Sequence, residues 1–133
     1  MMDSGASLHA AWLKKHFPWL ASHLKENDDQ RRGAFANTAN GQKLFYEGEF
    51  TVKGDCEGVP LSLDFTNMKV DVPIASVRRF VMSGNNVEFY QGGGCITNRH
   101  SGDNIKFVEL GGVHFLKVKI DAKASQGFAR PAR

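Results

Sequence analysis

The chain has 133 residues, 41% of them hydrophobic and 23% charged, which is one domain's worth of an ordinary globular protein. Its net charge is only +3, and the cations are scattered, with Arg31-Arg32 and Arg78-Arg79 as isolated pairs and Arg130 and Arg133 near the end. That is a weak electrostatic footprint for nucleic acid as a direct ligand, and no apolar run approaches the ~20 residues of a membrane span.

The opening "MMDSGAS" offers Asp3, Ser4 or Ser7 as an N-cap for the segment that begins at Leu8. Over residues 8–26, Leu13, Phe17, Leu20 and Leu24 recur at helical spacing, but Pro18 interrupts them. This predicts a short turn followed by a helix from about Trp19. "ENDDQRRG" then reads as an exposed loop. From Ala34 the pattern becomes strand-like, and Asn40-Gly41 between two such runs predicts a hairpin. "EGVPLSLDFTNMKVDV" alternates Leu61, Leu63 and Phe65 on one face and continues through Met68, Val70 and Val72.

"PIASVRRFVMSG" predicts a compact helix with Pro73 at its first position and Gly84 at its C-terminal cap. Ile74, Val77, Phe80 and Val81 form its expected buried stripe, with Arg78 and Arg79 facing out. Short strands follow in "NVEFY", "GCITNR", "NIKFVEL" and "VHFLKVKI", separated by the turn residues of "QGGG", "HSGD" and "GG". In the last strand Leu116, Val118 and Ile120 alternate with Lys117 and Lys119. Gly92, Gly93 and Gly94 lack the Lys-Ser/Thr of a phosphate-binding loop and read as a β-turn or bulge. The expected class is mainly β with short helices. Residues 1–121 form the expected domain, and residues 122–133 a flexible tail.

"Asp-Ser-Gly-Ala-Ser" also has a chemical reading. The Asp3 carboxylate would stand on a tight turn, the Ser4 hydroxyl could hydrogen-bond within it, and Gly5 permits close backbone packing. Two such aspartates held together share one proton. One then acts as base on a water while the other polarises a carbonyl.

The order "DSGASLHA", "ANTANGQKLFYEGEFTV", "LDFTNMKVDVPIASVRRFVMSGNNVEF" and "GGGCITNRHSGDNIKFVELGGVHFLKVKI" resembles the retropepsin-like protease region of retrotransposon polyproteins, especially the copia type. The resemblance covers residues 3–120. It implies an acid-protease fold in which each chain gives one catalytic Asp, so that the enzyme is a homodimer cleaving extended peptides or a polyprotein. Asp3, Ser4 and Gly5 are then the catalytic turn. Thr38, Ala39, Asn40, Gly41 and Gln42 take the place of the flap over substrate, and the helix after Pro73 supports the turn from behind. Only Met1 and Met2 precede Asp3, so the expected domain lacks that family's first strand or strands. The family generally puts a hydrophobic pair and then Gly before the supporting helix, where "PIASV" has Ala75 and Ser76 instead, as the copia type often has Ser.

Two other functions stand beside the peptidase. One is a catalytically inactive retropepsin-like fold used for dimerisation or peptide binding, and the other is a nucleic-acid-binding segment of the polyprotein. His9 follows the turn at the spacing found in copia-type elements and is read as a surface or helix-start histidine. His16 and His23 are read as solvated rather than as metal ligands, and no metal or cofactor is expected. Cys56 and Cys95 lack Cys-x-x-Cys pairing, and the opening lacks the layout of an export signal. Free thiols are therefore expected, and the resemblance implies an intracellular setting, cytoplasmic or in a virus-like particle.

Overall fold

The computed structural model describes residues 1–120, so the expected tail over residues 122–133 lies outside them. Strand accounts for 46% of the described residues and helix for 17%, so the class is mainly β. Strand β1 is Met2–Asp3 and β2 is Ala10–Ala11. The helical stretch that follows is more broken than its spacing predicts. Helix α1 covers only Leu13–His16, and Pro18–His23 is a 3-10 turn with Pro18 at its start, not an α-helix from Trp19. Leu13, Phe17 and Leu20 still reach the core, whereas Leu24 is exposed. "ENDDQRRG" contains a one-turn helix, α2 (Asp28–Arg31), because Asn27 Oδ1 caps it by accepting the Gln30 N–H at 2.9 Å. Asp28 and Asp29 pair with Arg31 and Arg32 across that turn.

Strands β3 (Phe35–Asn37) and β4 (Lys43–Phe45) form the expected hairpin. Strands β5 (Glu49–Cys56) and β6 (Val59–Asn67) pair antiparallel along their length. Leu61, Leu63 and Phe65 of β6 enter the main core with Phe50 and Val52 of β5, as the alternation predicts. Met68 and Val70, just past β6, are buried in a second, smaller core with Ala10, packed by Ala36, Leu44, Tyr46 and Ile74. Val72 is exposed instead of continuing that stripe.

The helix expected from Pro73 starts later. Ala75–Ser76 is a strand, β7, and helix α3 runs only over Val77–Met82. Ser76 is its N-cap, its Oγ accepting the Arg79 N–H at 3.1 Å. A serine hydroxyl satisfies a free N–H of the first turn, which Pro73 cannot do. Phe80 is fully buried, but Val81 is 44% exposed and Ile74 lies outside the helix, bridged to Ala10, so the buried stripe is narrower than predicted. Arg78 is exposed and Arg79 half-buried. Gly84, at φ +92°, follows the C-cap Ser83.

Strands β8 (Asn85–Tyr90), β9 (Gly93–Asn98), β10 (Asn104–Leu110) and β11 (Val113–Phe115) form an antiparallel four-stranded sheet. The three glycines divide: Gly92 turns at φ +85°, whereas Gly93 and Gly94 begin β9 rather than forming a turn or bulge. A Cβ on Gly94 would lie 2.3 Å from both Glu88 O and Phe107 Cζ, so glycine is what lets these strands close. "VHFLKVKI" is two strands, not one. β11 pairs with β10, and β12 (Lys119–Ile120) pairs with β5, so the chain changes sheets between them. Leu116, Val118 and Ile120 nonetheless all pack on the main core, which is why the alternation looks continuous. The second four-stranded sheet has the order β12-β5-β6-β2.

Candidate functional site

Asp3 stands on a threaded frame. β1 lies parallel to β7, with Met2 opposite Ala75 and Asp3 opposite Ser76. The Ala75 N–H donates to Met1 O at 2.7 Å, and the Met1 amine donates to Pro73 O at 2.9 Å. On the other side of residues 74–76, Ala10 and Ile74 form an antiparallel bridge. The central segment therefore runs between the two limbs of a single loop, the one that leaves β1 at Asp3 and returns at Ala10. β2 then anchors the return limb by pairing parallel with the end of β6, Ala10 with Thr66 and Ala11 with Asn67. Asn67 is buried, its Oδ1 accepting the Leu13 N–H at 3.0 Å and its Nδ2 donating to Glu47 O at 3.1 Å. Each limb is short, and each is fixed to a partner far away in sequence.

Within the loop, Asp3 Oδ1 accepts the Gly5 N–H at 2.8 Å, closing a tight turn through the carboxylate itself. A Cβ on Gly5 would come within 3.3 Å of that same oxygen, so a side chain there would press on the carboxylate. Asp3 is half-buried, and Ser4 and Gly5 are exposed. The expected Ser4 hydrogen bond within the turn is not formed among the described residues. The hydroxyl that stabilises the loop is that of Ser76, which donates to Ala6 O at 2.6 Å. Ser76 belongs to the helix start rather than to the turn, and it is fully buried.

His9 is also corrected: it is buried, not at the surface or at a helix start. Its Nδ1 accepts the Ser76 N–H at 2.9 Å. Burial, and then the nearby Arg79 guanidinium, push its pKa down to about 4, with Asp64 acting in the opposite direction. His16 is engaged rather than solvated: its Nδ1 accepts the Trp12 N–H at 3.1 Å and its Nε2 donates to Asp71 O at 2.9 Å. Cys56 and Cys95 are buried thiols, the first donating to Lys117 O at 3.1 Å. Among the described residues no three His, Cys, Asp or Glu side chains converge as a metal-binding group. No helix among them is long and apolar enough to cross a membrane.

Thr38, Ala39, Asn40, Gly41 and Gln42 form the hairpin tip, a wider loop than the Asn40-Gly41 step alone implies. The Thr38 N–H donates to Gln42 O at 2.9 Å, the Gly41 N–H donates to Thr38 O at 3.0 Å, and Gly41 takes φ +83°. The Thr38 hydroxyl bonds Asn40 Oδ1 and accepts the Gln42 N–H. The hairpin stands on the small core through Ala36, Leu44 and Tyr46, and that core includes Ala10 and Ile74 of the frame. Among the described residues no hydrogen bond joins the tip to the Asp3 turn.

Sequence reading missed Ser76 and the burial of His9. Ser76 could have been found as a hydroxyl three residues before the Arg79 amide it caps. His9 could have been found from its place in the apolar run "LHAAWL". No family model matches the chain, and neither the curated proteins nor the solved structures give a match.

Proposed function

We propose that this chain is a retropepsin-like aspartic endopeptidase domain of a retroelement polyprotein, working as a homodimer in which Asp3 of each copy supplies one carboxylate. The observation that carries this reading is the frame: residues 74–76 thread between the limbs bearing Asp3 and Ala10, with the capped helix α3 directly behind. This arrangement fixes an acidic turn from both sides and leaves its outer face exposed, as a shared two-fold site requires. One Asp-Ser-Gly turn in the chain means that one copy cannot form the pair.

In the paired site the two carboxylates hold one proton between them. The ionised Asp3 takes a proton from a water as its oxygen attacks the scissile carbonyl carbon. The protonated Asp3 of the other copy hydrogen-bonds the carbonyl oxygen and stabilises the charge developing there. Collapse of the gem-diol breaks the C–N bond, and the leaving nitrogen receives a proton from the carboxyl pair. The hairpin, with its exposed glycine-bearing tip and its base on the small core, closes over an extended peptide.

The test is cleavage of an extended peptide library at mildly acid pH by the chain and by its Asp3→Asn variant. Asn keeps the Gly5 N–H acceptor but cannot share a proton, so the rate falls by at least about 10²–10⁴ while the fold persists. Specific activity that falls on dilution, together with pepstatin-type inhibition, supports the homodimer. Equal cleavage by both proteins overturns the role of Asp3. Absence of cleavage by both, with a dimer still formed, puts the inactive peptide-binding fold ahead.

A further inference from the structure

The His9 ring is 4% exposed and lies edge-on to Phe80 and Phe65, with centroids 5.0 and 6.1 Å away. Because Nδ1 accepts the Ser76 N–H, it carries no proton, and the neutral ring holds its hydrogen on Nε2. Ser76 also donates its hydroxyl to Ala6 O and accepts the Arg79 N–H. A single serine thus ties the loop at Ala6 and at His9 to the first turn of α3, while its neighbour across the sheet is Asp3.

We propose that neutral His9 is the positioning residue of the Asp3 turn, fastening the loop to Ser76, and that protonation of the ring releases this fastening. For its bearing on catalysis the inference rests on the peptidase reading; the fastening itself does not. A protonated imidazole has donors on both nitrogens, so Nδ1 would meet the Ser76 N–H donor to donor. The charged groups whose fields reach the ring are Arg79 from α3, which opposes a second positive charge, and Asp64 from β6, which favours one. The two phenylalanine rings give no hydrogen-bond partner to a cation.

Closed, His9 takes a proton only near pH 4; opened to water, it returns to its ordinary 6.5. The fastening is therefore at full strength above pH 6.5, weakens down to about pH 4 and levels off below.

The experiment is amide hydrogen exchange on the full chain, followed by NMR between pH 7 and pH 4. Ser76 protection is corrected for the intrinsic pH dependence of amide exchange and compared with that of a non-titrating variant. In the native chain Ser76 protection should fall by up to about tenfold per pH unit across this window. His9→Asn places an amide oxygen near the position of Nδ1 and does not titrate, so its Ser76 protection should stay high and flat. His9→Leu keeps apolar volume without an acceptor and should lose protection at every pH. Flat protection in the native chain, or an unchanged pH dependence in His9→Asn, overturns the proposal. If His9→Leu does not fold, the other two arms decide. None of these readouts depends on cleavage, so failure of the peptidase reading and failure of this inference are separate results.

Discussion

Ala10 and Ile74 exchange backbone hydrogen bonds in both directions, the Ala10 N–H to Ile74 O at 3.0 Å and the Ile74 N–H to Ala10 O at 2.7 Å. This pair closes the return limb of the Asp3 loop onto the central segment. Replacing Ile74 with proline removes one donor and leaves the Ala10 carbonyl short of its partner. The expected loss is about 2 kcal/mol, the scale of a buried polar group left unpaired. Urea unfolding should show a lower midpoint for Ile74→Pro than for the control Ile74→Val, which keeps the N–H. Equal midpoints would mean that the bridge contributes nothing.

Whole-fold stability should also depend on His9. Its folded pKa of about 4 lies below the ordinary 6.5, so the unfolded chain binds the proton more readily. Stability from this group is complete above pH 6.5 and is lost as pH falls toward 4, by about 3 kcal/mol in total at ~1.4 kcal/mol per pKa unit. Denaturant titrations at pH 7 and pH 4 measure the difference. It should shrink markedly in His9→Asn, and a variant losing as much as the native chain would assign the acid sensitivity to other groups.

At the hairpin tip the controlling factor is conformation rather than space. A Cβ on Gly41 would meet nothing within 4 Å, yet its φ of +83° strains a branched side chain. Gly41→Val should cost about 1–2 kcal/mol of local hairpin stability, whereas Gly41→Asn should be far milder. The readout is the NMR contact between the Phe35 and Phe45 rings, whose centroids lie 5.7 Å apart. Retention of that contact in Gly41→Val would show that the tip does not set the pairing.

Gly94 poses the opposite case. Its neighbours crowd it from both adjacent strands, through Glu88 O and the Phe107 ring. Gly94→Ala should therefore destabilise by about 1–3 kcal/mol through overpacking, and thermal unfolding would register it. Shortening the ring side as well, in Gly94→Ala with Phe107→Leu, should recover part of the loss if the ring is the obstacle. No recovery would leave the Glu88 carbonyl as the cause.

Local chemistry made some of this legible from sequence. Asn40-Gly41 marks its hairpin, Gly84 marks a helix end, and Leu61, Leu63 and Phe65 mark a buried face, because each signal depends on immediate neighbours. Where distant residues decide, the sequence pattern misleads. His9 looks like a polar residue beside a turn, yet Ser76, Phe65 and Phe80 come from far along the chain to bury it. Pro73 resembles a helix start, but residues 74–76 are drawn into the sheet by Met1 and Ala10. Leu116, Val118 and Ile120 keep one inward face while their strand partners change, a switch that alternation alone cannot reveal. For the site, Asp3 and Gly5 were readable as a turn, but the serine that secures it was not.

The pairing of Met2 with Ala75 also sets an order of events during synthesis. The acidic turn leaves the ribosome long before the segment that shapes it, and until Ser76 has followed there is nothing for Ala6 or His9 to bind. Pairings between such distant residues form slowly, after local hairpins such as β3–β4. A nascent chain stalled before Pro73 would thus display the Asp-Ser-Gly residues without their frame. The turn takes its shape only once the chain has been extended through Ser76.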